Sequence, residues 1–338
     1  MRVVQLVCSV GFAGVERYVV NLAGGLAAAG IDVTVIGGRE EDMRDALAPS
    51  SVTWRPGASM AQAFAELRRL PLAEIVNSHM SQADLVVALA RPGRRFRHVS
   101  TRHFGAPRGS SGVSAAVFGV IGRRIDAQLA ISEFVAEHVD GRSEVVHSGV
   151  AERPRSRERG PFALLVQRLE PEKDTETAIR AWARCSAPSQ GWRLRIAGDG
   201  SQRGYLERLA TELGVADSVD FLGFRSDVEA LLGEAGLVLA PTPREGLGIS
   251  VLEAMAHGTP VIAAAGGGHL ETVAVVAPEL LFAPGDAAAA ASRLDALVQD
   301  SGHRGRAGDA LRELQRSRFT LESQVAGTRR IYERVLAQ

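Results

Sequence analysis

Among 39 basic residues in this 338-residue chain there is one lysine, Lys173; the others are arginines. Cysteine is almost as scarce. Cys8 and Cys185 stand far apart, which gives no disulfide framework and reads as two small buried hydrophobes in a reducing compartment. Net charge is also missing: Lys+Arg and Asp+Glu both number 39, so no polyanionic partner is implied and nucleic-acid binding is disfavoured. No apolar run reaches the roughly 18 residues of a membrane-spanning helix. The first ten residues hold one arginine and a very short apolar run, with Glu16 and Arg17 soon after, which is not a secretory leader. The expected location is cytoplasmic.

What is present is a long alternation of apolar strands and amphipathic helices. Hydrophobic residues make up 46% of the chain, and at about 150 residues per domain the length suggests two cores. "RVVQLV" (2–7), a glycine turn, a helical pattern from Val15 to Ala29, Gly30 and "DVTVIGG" form a βαβ unit of a parallel sheet. Strand-like runs recur at 74–79, 97–103, 127–132 and 143–149. "AERPRSRERGP" (151–161), with two prolines and dense charge, reads as an interdomain linker. A second series follows, with strands at 162–169, 192–200, 218–224, 236–242 and 260–268, and an amphipathic helix over 321–336 ends the chain. The expected fold is α/β, with two Rossmann-like doubly wound domains facing a central cleft. The boundaries expected are 1–152, a linker at 153–161, and 162–320, with 321–338 packing back on the first domain.

In open α/β sheets ligands bind at the carboxyl ends of strands, so each glycine-rich loop after a strand is a candidate. "GFAG" leads into a helix whose first N–H groups favour an anion. "RLEPEK" follows the first strand of the second domain; Arg168 offers a planar fork and Lys173 a compact charge, both suited to a diphosphate. The retention of Lys173 in a chain otherwise confined to arginine sharpens that reading. "EGLGISVLE" carries two carboxylates, Glu245 and Glu253. Gly246 and Gly248 let a ligand approach the backbone, and the N–H groups of Leu247, Gly248 and Ile249 are helix-end donors. Glu253 lies about 6–8 Å further along the helix at 1.5 Å per residue. Two carboxylates flanking an anion site suit a nucleotide sugar: sugar hydroxyls, diphosphate, ribose hydroxyls.

With these residues assembled, the chain resembles the family 4 retaining glycosyltransferases of the two-Rossmann-domain (GT-B) type over nearly its whole length. "PREGLGISVLEAMAHGTPVIAAAGGGHLETV" resembles that family's E-x7-E block, "LVQRLEPEKD" its R-L-x3-K element, "LRIAGDG" its Gly-Asp-Gly turn, "VDFLGF" its Phe-Leu-Gly strand and "AGVE" its N-terminal glycine loop. The resemblance implies that Glu245 holds donor-sugar hydroxyls with the backbone of Gly246, Leu247, Gly248 and Ile249, and that Glu253 holds the ribose. It implies that Arg168 and Lys173 neutralise the diphosphate, that Gly14 lets its loop approach it, and that Gly198 lies near the nucleotide and Phe224 near the base. His103 would stand beside the transferred sugar, and Glu16 and His79 would serve the acceptor side. It further implies retention by front-face attack and no divalent metal or other cofactor. The chain departs from the family pattern at Ala13, Asn77, Ser148, Gln167 and Asp174.

Other readings are a non-hydrolysing nucleotide-sugar epimerase and a catalytically silent sugar-nucleotide-binding partner. A PLP-dependent phosphorylase needs a lysine late in the chain, and Lys173 is the only one. The partners expected are a nucleotide-sugar donor and a hydroxyl acceptor. Arginines 91, 94, 95, 97, 102 and 108 are expected to form one basic face of the first domain, suited to peripheral contact with an anionic membrane or a phosphorylated acceptor.

Overall fold

A computed structural model describes the chain apart from residues 72, 110, 111, 156 and 157 and the side chains of 112–114. It divides into two compact units, Met1–Gly149 with Leu321–Gln338, and Val150–Thr320.

The first unit is built on strands β1 (Arg2–Val7), β2 (Asp32–Ile36), β3 (Thr53–Arg55), β4 (Ile75–His79), β5 (Arg97–Arg102), β6 (Ala127–Ala130) and β7 (Glu144–Val145). They form one parallel sheet in the order β3-β2-β1-β4-β5-β6-β7. Its helices are α1 (Gly14–Ala28), α2 (Glu40–Leu47), α3 (Met60–Arg69), α4 (Ser81–Ala90), α5 (Gly112–Gly122) and α6 (Glu133–His138). In β1, Val3, Val4, Leu6 and Val7 are all buried, as a strand covered on both faces requires. α1 turns Val15, Tyr18, Val19, Leu22 and Leu26 inward, the spacing of a single apolar face.

In the second unit, β8 (Gly160–Val166), β9 (Arg193–Ala197), β10 (Val219–Gly223), β11 (Ala235–Ala240), β12 (Val261–Ala264) and β13 (Leu281–Phe282) form a parallel sheet in the order β10-β9-β8-β11-β12-β13. Its helices are α7 (Thr175–Trp182), α8 (Arg203–Glu212), α9 (Val228–Glu234), α10 (Ile249–Ala256), α11 (Val273–Val276), α12 (Ala287–Gln299) and α13 (Ser301–Arg318). The last helix, α14 (Leu321–Leu336), belongs to the first unit.

Three expectations need adjustment. β3 and β13 have only three and two residues, too short to show a period, and they escaped the sequence reading. The strand expected over 143–149 pairs only at Glu144 and Val145. The charged segment read as a linker is strapped to the second unit. Arg153 pairs with Glu229 at 2.9 Å and Arg155 with Asp309 at 2.8 Å. Arg159 donates to Thr259 Oγ1 at 2.6 Å and to the His257 carbonyl at 2.9 Å, and β8 begins at Gly160 rather than 162.

Helix α14 packs on α1. A Cβ at Gly25 would stand 2.5 Å from Val325 Cγ2, so the glycine permits the approach. The hydroxyl of fully buried Tyr332 accepts from Gln5 Nε2 at 3.0 Å and Asn77 Nδ2 at 2.8 Å. Tyr332→Phe keeps the ring and leaves both amide donors short of an acceptor. It is expected to destabilise the first unit by about 1–3 kcal/mol, read as a lower Tm by scanning calorimetry. An unchanged Tm would mean that the amides find other acceptors.

Candidate functional site

In the second sheet β8 lies between β9 and β11, so successive connections diverge there and leave a crevice at the carboxyl ends of the strands. The loop after β8 carries Lys173 at the end of a short 3-10 turn, Pro171–Lys173. The loop after β11 carries Glu245. Lys173 Nζ donates to Glu245 Oε2 at 2.7 Å, with both side chains largely buried. Burial alone would raise the Glu245 carboxyl. The charge and hydrogen bond of Lys173 outweigh it, aided by His269 and the Gly246 N–H, and hold the carboxyl below the ordinary range.

Two devices fix this pair. Gln167 spans three segments: its Nε2 donates to the Lys173 carbonyl and Thr175 Oγ1, both at 2.9 Å, and its Oε1 accepts from Thr242 Oγ1 at 3.1 Å. Glycines form the second device. Cβ atoms at Gly266, Gly267 and Gly268 would stand 2.1 Å from the Pro243 carbonyl oxygen, 2.2 Å from that of Glu245 and 2.4 Å from Leu247 Cα. Only a bare backbone packs so close to the Glu245 loop, and the Gly268 N–H bonds the Glu245 carbonyl at 2.8 Å. Asp174, at φ 52°, caps α7 by accepting from Thr177.

The other expected donor residues are placed less uniformly. Gly246, Leu247 and Gly248 are buried and Ile249 half-buried where α10 begins, with Gly248 at φ 88°. Val251, Leu252 and Ala254–Ala256 of α10 are buried, while Glu253 lies half-exposed. The Gly198 N–H bonds the Gly223 carbonyl at 2.8 Å; a Cβ there would meet the Gln167 carbonyl oxygen at 1.8 Å. Phe224 is 54% exposed. Arg168 is exposed and pairs with Glu172 at 2.8 Å, so the structure joins Lys173 to Glu245 and turns Arg168 to its own loop. Among the described residues no cluster of three or more histidine, cysteine, aspartate or glutamate side chains is arranged to hold a metal ion.

In the first unit His79, at the end of β4, and His103, just beyond β5, are buried 2.9 Å apart, Nδ1 to Nε2. His79 Nε2 lies 2.8 Å from Gln5 Oε1, an oxygen that only accepts, so Nε2 carries the proton. Nδ1 of His79 then accepts from His103 Nε2, and His103 Nδ1 is left as an acceptor. Tyr18 meets both rings edge-on, at 5.7 and 4.7 Å between centroids. Gly14, the first residue of α1, faces open space. Glu16 is turned back on its own loop, accepting from Ser9 Oγ at 2.5 Å and the Ala13 N–H at 2.8 Å; it caps α1.

The family can now be assigned. A profile described as glycosyl transferases group 1 matches residues 151–314, and Glycosyltransferase Family 4 matches residues 12–152. This chain belongs to the family 4 glycosyltransferases. It is 33% identical to a 2-deoxystreptamine glucosyltransferase of Streptomyces kanamyceticus over 54% of this chain and 49% of that protein. It is 34% identical to a D-inositol 3-phosphate glycosyltransferase of Salinispora arenicola over 53% and 42%. The chain thus spans about half the length of these curated relatives. Among solved structures, Anabaena Alr3699/HepE in complex with UDP and glucose superposes with a TM-score of 0.80 at 19% identity, over 98% of this chain and 99% of that one. Sucrose-phosphate synthase of Thermosynechococcus elongatus does so with 0.77 at 20%, over 99% of each. The fold is GT-B.

Within this family 4 chain, five of the six arginines expected to form a basic face of the first domain are engaged inside that unit, and Arg95 is exposed. Arg102 and Arg108 are buried. Arg102 pairs with Asp140 at 2.7 Å; Arg108 pairs with Asp84 at 2.5 Å and Asp140 at 2.6 Å. Arg91 and Arg97 bind Asp126, and Arg94 donates to the carbonyls of Leu67, Arg68 and Leu70. Desolvation favours such pairing: an arginine inside the unit must meet a carboxylate or carbonyl. The functions of Gln167 and of Gly266–Gly268 escaped the sequence reading, although Gln167 had been noticed as a departure from the family.

Burial brings His79 down to about 3 against opposition from Asp84, and holds His103 well below its usual value with help from His79 and Arg102. Both are neutral in the folded unit at pH values where the unfolded chain, near 6.5, takes up protons. Their contribution is therefore complete above about pH 6.5 and is lost as pH falls toward 3. The first unit is expected to lose Tm between pH 7 and 5, and His79→Gln is expected to flatten that slope. An equal slope in the variant would assign the loss elsewhere.

Proposed function

We propose that the protein is a retaining glycosyltransferase, moving a sugar from a nucleoside-diphosphate sugar to a hydroxyl of a small-molecule, lipid or glycan acceptor. The observation that carries this is the Lys173–Glu245 pair at the mouth of α10. It sets one cation, one carboxylate and a helix N-terminus together at the switch point of the second sheet. Lys173 and the helix end suit a diphosphate. Glu245 suits sugar hydroxyls, and Glu253, half-exposed along the same helix, suits a ribose. In the reaction proposed, the bond from the anomeric carbon to the diphosphate breaks, and a bond to the acceptor oxygen forms on the same face. The acceptor proton passes to a phosphate oxygen of the leaving group. Lys173 stabilises the charge that develops on that group, which gives the reaction no need of a divalent metal. Arg168 joins it by leaving Glu172. In the first unit, His103 Nδ1 accepts a hydrogen bond from a substrate hydroxyl, and its neutrality suits positioning rather than proton removal.

UDP and GDP are the first nucleotides to try, UDP because Alr3699/HepE was solved with it. A ligand at 100 times its Kd stabilises by about 2.7 kcal/mol, which a thermal shift reads easily. Lys173→Ala is expected to abolish the shift and to lower kcat/KM by about 10²–10³-fold. Glu253→Ala is expected to weaken binding of the free nucleotide by about tenfold or more. A Lys173→Ala protein with near-wild-type kcat/KM would overturn the assignment, and nucleotide binding without turnover of any donor would favour the silent partner. Activity is expected to survive EDTA; loss restored by Mg²⁺ would defeat the metal-free mechanism.

A further inference from the structure

His269 follows the glycine seam directly, in the short 3-10 turn Gly267–Leu270 beyond β12. The seam presses this turn onto the Glu245 loop. The Gly268 N–H bonds the Glu245 carbonyl, and Cβ atoms at Gly267 and Gly268 would collide with the backbone of Glu245 and Leu247. The ring is only 1% exposed. Its Nδ1 lies 3.0 Å from the Ala264 carbonyl oxygen, which only accepts, so Nδ1 carries the proton. Burial holds His269 below its ordinary range, with help from Lys173 and against Glu245 and the Ala264 carbonyl. The ring is therefore neutral at pH 7, and Nε2 is a lone-pair acceptor. It stands close enough to Lys173 and Glu245 for both charges to act on it.

Nε2 has no hydrogen-bond partner among the described residues, yet it is not one of the polar atoms sealed from solvent. A buried ring with one open acceptor beside the Lys173–Glu245 pair calls for a donor from a ligand. A diphosphate cannot supply it, because phosphate oxygens accept as Nε2 does. Sugar hydroxyls can. On the donor site proposed above, we infer that His269 is a specificity-determining residue for the transferred sugar. It accepts, through Nε2, from a hydroxyl next to the one that Glu245 holds. The class of donor follows: a sugar with two free neighbouring hydroxyls. One deoxygenated or O-substituted at either position leaves a buried acceptor unpaired, which is how a polar site rejects an analogue.

The test uses UDP-glucose and GDP-mannose, each with its singly deoxygenated analogues, and follows release of the nucleoside diphosphate by hydrolysis, which needs no acceptor. In His269→Asn the amide keeps the tie to Ala264 and loses the acceptor. It is expected to lower kcat/KM by about 10–100-fold on the donor that the wild type turns over. It should cost nothing further on the one deoxy analogue that lacks the partner hydroxyl. His269→Gln, whose Oε1 takes the place of Nε2, is expected to recover most of the loss. Both variants should keep the thermal shift with free UDP or GDP, because His269 faces the sugar. Wild-type rates in His269→Asn, with that shift intact, would overturn this inference and leave the donor site standing. Equal loss on every analogue, with glutamine no better than asparagine, would also overturn it and make the ring a prop of its loop. A wild type that shows no nucleotide shift, or binds nucleotide and turns over neither donor, would overturn the donor site or its reaction and this inference with it.

Discussion

The Lys173–Glu245 ion pair joins residues 72 positions apart, and the second unit is arranged around making that contact possible. It requires β8 and β11 to be neighbours, although two strands intervene in sequence. It also requires the Glu245 loop to be held in place, and the backbone of Gly266–Gly268, beyond β12, packs on that loop along a seam that no Cβ at these three positions would fit. Gln167 ties the seam from the other side, through the Lys173 carbonyl and Thr242. A lysine among arginines is intelligible at such a point. Its ammonium is a compact charge that fits against one carboxylate oxygen, where a guanidinium fork demands a wider partner.

The first unit solves a different problem with the same sheet logic. Its central strands carry Gln5, Asn77, His79 and Thr101 fully buried, positions where an isolated polar group is costly. They are satisfied by one another and by Tyr332: Thr101 Oγ1 donates to Asn77 Oδ1 at 3.0 Å, and Asn77 Nδ2 to Gln5 Oε1 at 3.1 Å. The chain of hydrogen bonds fixes the tautomers of both histidines. His103 reaches its orientation through this chain of bonds, by way of His79 Nδ1.

Much of this was legible in the chain itself. Alternating strand and helix patterns gave the two-domain α/β class, and the Glu245–Glu253 spacing with the lone lysine drew attention to the second unit's loops. What stayed hidden depends on neighbours distant in sequence. Arg102 and Arg108 read as surface charge because arginine density says nothing about Asp84 and Asp140, which come to them only in the fold. Gln167 looked like an anomaly because its partners, Thr175 and Thr242, belong to other loops. β13 has two residues, and no periodicity exists at that length.

Val150 and Thr320 pair side by side where the second unit begins and ends, with the Val150 N–H on the Phe319 carbonyl at 3.0 Å. The second unit is therefore a closed excursion from the first, and the first is written in two pieces. Its polar core needs Tyr332, made after the whole of the second unit, so Gln5 waits through 327 residues and Asn77 through 255 for the hydroxyl that satisfies them. On the ribosome, where domains generally fold as their residues emerge, the order of completion is reversed with respect to the order of writing. The unit that starts second closes first, and the unit that starts first is sealed by α14, written after the whole of the second.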